Sequence, residues 1–255
     1  MRQPTGRSIP LSLPRRFVGD LVHFARGVPT VPVERRMQLA AVVAARQAAR
    51  PRPSWCALFT KAYAMTAALH APLRRAYLKL PTPHLYEHPI SVASVAIERR
   101  LNEEDAVFFA PFRRPDEKPL AEIDLELRRL KDVPIEQVAA FRRTLRLSAW
   151  PRPLRRLVWW LGLNAWGRKR AHYMGTFGVS AYASLGAASL HPLSPLTTAL
   201  NYGVINDQSN VDVRIIYDHR VMDGATVARA LADLERILRC EIVAELKSLQ
   251  VNAAA

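Results

Sequence analysis

Two aspartates and an arginine surround a histidine in Asp218-His219-Arg220-Val221-Met222-Asp223-Gly224, the stretch of this sequence best equipped for chemistry. An imidazole accepts and returns a proton near neutral pH, and a carboxylate four residues on can orient it. Other uses of these residues stay open. Asp223 could cap a helix, Arg220 could pair with either aspartate, and His219 with Asp223 could ligate a metal if both lay on one helical face. The flanking elements bear on the choice. Val211 to Tyr217 alternates apolar and polar residues and then turns apolar, the pattern of a partly buried strand. Val227, Ala230, Leu231, Leu234, Ile237 and Leu238 recur at helical spacing, so a helix starts near Gly224. His219 therefore sits where a strand ends, with its backbone held on both sides and its ring free to face a cleft. A strand reaching Tyr217 argues against a helical metal pair, and no metal is expected.

The string YDHRVMDG resembles the active-site signature DHRxxDG of the dihydrolipoamide acyltransferases, whose wider HxxxDG pattern is shared with chloramphenicol acetyltransferase. A second stretch, Gly175-Thr176-Phe177-Gly178-Val179-Ser180, resembles the GTFTIS segment of the same family and is followed by His191-Pro192. Its distance to the histidine is shorter here, consistent with a trimmed hairpin around Asn206 to Asn210. The resemblance implies an α/β two-layer sandwich, a mixed sheet covered by helices on one face, and covers roughly residues 10–245. It implies a coenzyme A-dependent acyltransferase with His219 as general base and Ser180 as the donor to the developing oxyanion; Thr176 and Ser184 are the alternatives to Ser180. It implies that Asp223 holds the loop through an ion pair with Arg15 or Arg16. It further implies a homotrimer, with the serine and histidine of one site on different chains, and larger assemblies are known in the family. No lipoyl or subunit-binding module is matched, so no covalently bound lipoyl group is expected and a separate lipoyl carrier protein would bring that substrate. Thr30 stands where the family has a histidine.

Composition fits a globular protein. Nearly half of the 255 residues are apolar, and the two cysteines, Cys56 and Cys240, show no ligand spacing, which favours free thiols in a reducing compartment. Pro4, Pro10 and Pro14 interrupt the basic N-terminus before an apolar run forms, so neither signal peptide nor anchor is read there, and the expected location is the cytoplasm. The net charge of +15 concentrates between Glu136 and Asp207, where no acidic residue occurs. Arginines there interleave with Trp150, Trp159, Trp160 and Trp166. A short basic helix after Pro153 is predicted, and Trp159, Trp160, Arg155 and Arg156 are the candidate surface for a membrane interface or a partner. A solvated basic side is the plainer reading, and nucleic acid lacks any accompanying motif.

Along the chain, a proline-punctuated arm over 1–16 precedes a helix from Phe17 to Gly27. An extended segment covers Val28 to Val33, and helices cover Met37 to Arg50 and Trp55 to His70, the second capped by Ser54. Strands follow at His88 to Ile97 and Ala106 to Pro111, then a helix opened by Pro119 with Leu120, Ile123, Leu127 and Leu130 on its buried side. The whole of 1–255 reads as one catalytic domain, with the basic, Trp-rich region at about 134–172 inserted before the GTF segment. The second functional reading is a non-catalytic trimeric scaffold attached through that insertion.

Overall fold

The computed structural model of the protein describes residues 6–180 and 182–252. Its centre is a six-stranded mixed sheet built from β1 (Thr30–Gln38), β4 (Val92–Leu101), β5 (Glu104–Arg113), β6 (Phe177–Val179), β7 (Thr198–Tyr202) and β8 (Asn210–Asp218), in the order β1-β8-β7-β6-β4-β5. β2 (Arg75–Leu78) and β3 (His84–Glu87) form a separate hairpin. Alternation sets the two faces. Phe108, Ala110 and Phe112 of β5, Phe177 and Val179 of β6, and Val211, Val213, Ile215 and Tyr217 of β8 point into the core, whereas Phe109, Gly178 and Asp212 point to the opposite side.

Helices α2 (Ala40–Ala48), α3 (Trp55–Leu69), α4 (Leu120–Asp132), α8 (Gly224–Ile237) and α9 (Val243–Asn252) supply the core layer. The predicted stripe of α8 is buried from Val227 to Ile237. Burial of most of α3 is what a helix apolar on nearly every side demands, and its one charged residue, Lys61, is paired with Glu245. Phe59 stacks on Tyr202 at 4.1 Å, and the Tyr63 hydroxyl donates to Thr198 Oγ1 at 2.8 Å, so its one polar atom is satisfied inside the core.

The basic segment adds a second, smaller layer. α5 (Ala139–Ala149) runs along the β5 edge, and α6 (Arg152–Asn164) and α7 (Gly167–Met174) cross to the face away from the main helices. There α6 packs on α1 (Leu13–Ala25), with Trp159 stacked on Phe24 at 5.8 Å and tilted against Phe17 at 5.4 Å. The expected one-sided covering is thus joined by helices on the second face at the β4-β5 end.

Several boundaries differ from those predicted, among them the start of β4 at Val92 rather than His88 and the end of α2 at Ala48 rather than Arg50. α1 begins at Leu13, because the Ser12 hydroxyl accepts the Arg15 N–H and Pro14 suits the first turn. Met37 and Gln38 remain in β1, since pairing with Val211 and Asn210 outweighs their helix propensity. β4 and β5 extend towards a tight turn at Asn102-Glu103, both at positive φ, which is hairpin geometry.

Candidate functional site

His219 is held by backbone bonds from both sides. Its N–H donates to Pro29 O at 3.0 Å, just ahead of β1, and the Asp218 N–H donates to Thr197 O at 2.8 Å, just ahead of β7. The Val221 N–H closes the turn on Asp218 O at 3.0 Å, and α8 begins three residues later at Gly224. The imidazole is 51% exposed and lies 5.5 Å from the Tyr217 ring. Its Nδ1 stands 3.6 Å from Asp223 Oδ1, an ion-pair approach rather than a hydrogen bond.

The aspartates divide the work that the sequence left open. Asp218 is buried, and Arg220 covers it with both Nε to Oδ1 at 2.9 Å and Nη2 to Oδ2 at 2.7 Å. The same guanidinium lies 4.4 Å over the Tyr77 ring, so Arg220 belongs to Asp218 and braces the turn. Asp223 occupies the N-cap position of α8 without a side-chain capping bond and is 85% exposed. Among the described residues, no third His, Cys, Asp or Glu completes a metal-binding group.

Within one chain the expected Asp223 pair with Arg15 or Arg16 is not formed. Arg15 bonds Glu104 Oε1 at 2.8 Å and Asp105 O at 3.3 Å, and Arg16 bonds Leu11 O at 3.1 Å. The reason is placement: α1 packs beside β5 at one edge of the sheet, whereas β8 and α8 lie towards the other.

Ser180 continues β6, its N–H donating to Leu200 O at 3.1 Å and its carbonyl accepting from Asn201 Nδ2 at 2.5 Å. The side chain is half-buried, and its hydroxyl has no hydrogen-bond partner among the described residues. Thr176 is different in kind: its buried Oγ1 accepts from the Val92 N–H at 3.0 Å and donates to Val92 O at 3.2 Å, clipping the strands together. The side chain of Ser184 lies outside the described residues. Gly175, at φ 91°, explains the glycine of this segment, because a Cβ there would stand 2.9 Å from Val92 O. Gly175→Ala should therefore cost ~1–3 kcal/mol, read as a lower urea midpoint at unchanged slope.

Ser180 and His219 do not meet within one chain. Val179 pairs with Leu200, which puts Ser180 level with Asn201, and Asn201 pairs with Arg214. His219 is five residues farther along β8. At ~3.3 Å per residue and ~4.8 Å per strand, the two backbones are roughly 20 Å apart. Side chains do not span that distance, so the two residues do not meet within one chain.

No family model and no curated protein matches the sequence. Solved structures do. The cubic core of the pyruvate dehydrogenase multienzyme complex superposes with TM-score 0.67 at 18% identity, over 96% of this chain and 95% of that one. The dihydrolipoamide acetyltransferase of Azotobacter vinelandii gives TM-score 0.67 at 18% identity, with the same coverages. The fold is that of the dihydrolipoamide acetyltransferase cores. Chloramphenicol acetyltransferase shares it more distantly, with TM-score 0.54 at 13% identity over 87% of this chain and 94% of that one.

On this acetyltransferase-core fold, the expected membrane or partner surface is divided. Trp159 is only 5% exposed, and Arg155 is buried against Asp20, so both face α1. Arg156 also reaches Asp20, at 3.3 Å, and only Trp160 of the four keeps a partly open apolar side chain free of such contacts. The cause is that Arg155, Trp159 and Leu163 share one side of α6, and Asp20 supplies that side with a charge partner 135 residues away. The outward apolar face is instead Leu154 and Leu157.

Two site neighbours were missed. His191 Nε2 lies 2.8 Å from Thr30 Oγ1, and Thr30 pairs with Asp218, which places a second imidazole on the strands that hold His219. Arg170 is buried, bonded to the carbonyls of Tyr77, Leu163 and Pro195. Burial pushes it down to about 10, while Asp218 opposes and Arg220 adds to that shift. The His-Pro pair at 191–192 was the visible signal for the first; nothing in the sequence separates Arg170 from its basic neighbours.

Proposed function

We propose that this chain is an acyltransferase that moves an acyl group from coenzyme A thioester to a thiol acceptor of the dihydrolipoamide kind, working as a homotrimer. The observation that carries the reading is a half-exposed imidazole on a rigid turn together with a serine hydroxyl that has no partner among the described residues, about 20 Å away on the same chain, on a fold whose solved examples include acetyltransferases. The A. vinelandii enzyme is one in which a serine, a histidine and an asparagine have been studied for their catalytic role. Ser180, His219 and Asp223 are offered as the counterparts, with aspartate in place of the amide.

Two copies then complete each site, Ser180 from one and His219 from the next. With Nδ1 of His219 turned to Asp223, Nε2 is left to take the thiol proton as sulfur attacks the thioester carbonyl. A free thiol of pKa ~8.5 is mostly protonated at neutral pH, whereas an imidazole near ~6.5 is mostly free base. The Ser180 hydroxyl donates to the oxyanion that forms. When the intermediate collapses, the carbon–sulfur bond to coenzyme A breaks, and the imidazolium returns its proton to the departing thiolate. Asp223, 3.6 Å from Nδ1, holds the ring in place.

Release of coenzyme A thiol from acyl donors, measured with and without dihydrolipoamide, tests the reading; no release with any thiol acceptor would overturn it. Ser180→Ala should lower kcat ~10²–10³-fold, the usual loss for one oxyanion donor. The non-catalytic scaffold is the second reading, favoured by the outward Leu154 and Leu157 among basic residues. It expects salt-sensitive binding to anionic vesicles without thiol release.

A further inference from the structure

Between the second helical layer and the sheet lies a cavity of about 520 Å³. That is far larger than a packing defect and falls among small-molecule sites, at ~300–1,000 Å³. Its floor is the open face of the sheet at Ser94, Pro111 and Gly178, and its walls include Leu147, Val158 and Trp159. The lining is mainly apolar, and its charged members are all cationic: Arg143, Arg146, Lys169 and Arg170, with no carboxylate. The first three are exposed at the rim, where Arg143 sits 4.9 Å over Tyr173 and Lys169 sits 4.7 Å over Trp166. Arg170 is buried, and among the described residues its bonds go to carbonyls alone.

A greasy chamber with a cationic mouth selects an amphiphilic anion. Water is a poor occupant of so apolar a space, and a short polar ligand would leave most of it unfilled. A long acyl chain fits the interior, and a carboxylate or phosphate fits the rim. The chamber lies beside Ser180 and is joined through Arg170 to the turn that carries His219. Gly178 in its floor is two residues before Ser180 on the same side of β6, roughly 7 Å along the strand. Arg170 in its wall donates to Tyr77 O at 3.0 Å, and the ring of the same Tyr77 carries the Arg220 guanidinium at 4.4 Å.

We propose that this cavity binds one long acyl chain bearing an anionic head, the chain lying over Gly178 beside Trp159 and the head meeting Arg143, Arg146 and Lys169. That chain is the acyl group handled at Ser180 and His219; this half of the inference rests on the acyltransferase reading, whereas the binding does not.

Tryptophan fluorescence of the full chain, titrated with saturated fatty acids from octanoate to stearate, reads the binding. Affinity should rise about fourfold per methylene and level off once the chamber is full. Alkyl trimethylammonium ions of equal length should bind far more weakly. In Gly162→Leu, a new Cβ meets only the mobile Met174 Cε, at 3.3 Å, and the side chain occupies the cavity. It should lower affinity for the longest chains roughly ten- to a hundredfold. Arg143→Glu with Lys169→Glu should weaken fatty acids but leave the matching alcohols unchanged. Affinity independent of chain length, or insensitive to both variants, overturns the proposal, as does a Gly162→Leu chain whose only change is its oligomeric state.

Two further arms identify the source. The same chain-length rise with acyl-coenzyme A in vesicle-free buffer marks a soluble thioester; binding only when phosphatidylglycerol vesicles are present marks a membrane lipid. Turnover of short acyl-coenzyme A without fatty-acid binding would sink the cavity and spare the enzyme. Fatty-acid binding without any thiol release would do the reverse.

Discussion

His219→Ala should reduce acyl transfer ~10²–10⁴-fold, the usual worth of a positioned general base, while the folding midpoint stays where it was. The two expectations come from one geometry. The turn is held by the His219 N–H on Pro29 O and by the Arg220 clamp on Asp218, and alanine keeps both. The ring is half exposed, so its removal opens no core cavity. The loss should fall on kcat more than on KM, because the proton moves only as the thiol attacks. A second measurement asks where the partner serine resides. Ser180→Ala and His219→Ala chains, each nearly silent alone, should recover activity when refolded together, since some sites then join an intact serine to an intact histidine. Recovery without mixing of chains is impossible for groups about 20 Å apart on one sheet. If the mixture stays as silent as its parts while mixed oligomers demonstrably form, the shared site is wrong.

Periodicity made much of this architecture legible. The stripe of α8 and the alternation of β8 follow from spacing alone, and together they locate His219 at a strand end. Local chemistry carried the capping of α3, where the Ser54 hydroxyl accepts from the Ala57 N–H. What escaped was decided by partners far off in the chain. Nothing local told Arg220 to choose Asp218 over Asp223; Tyr77, 143 residues earlier, provides the surface on which that guanidinium lies. The same holds for the basic helix. Its tryptophans and arginines were readable as an amphipathic pattern, but which side faced inward depended on a single carboxylate in α1.

That carboxylate is the subject of the second large effect. Asp20→Ala should lower stability by ~3–5 kcal/mol, because it strands Arg155 in the interior. Asp20 is almost wholly buried, with Arg155 on one oxygen and Arg156 at 3.3 Å from the other. Among the described residues, Arg155 has little else to hold it than a weak bond to Trp150 O at 3.4 Å. The charge, rather than lost contact area, causes the expected damage, and a double variant separates the two. Asp20→Ala with Arg155→Met removes both buried charges and keeps most of the side-chain volume, so it should regain most of the lost stability. The denaturation curves should be read alongside tryptophan emission. Because Trp159 is packed between Phe17 and Phe24 on the same helix pair, the single variant should shift that emission to the red before the rest of the chain unfolds. A double variant no more stable than the single one would mean that α1 and α6 are joined by the aromatic packing and that the ion pair contributes little.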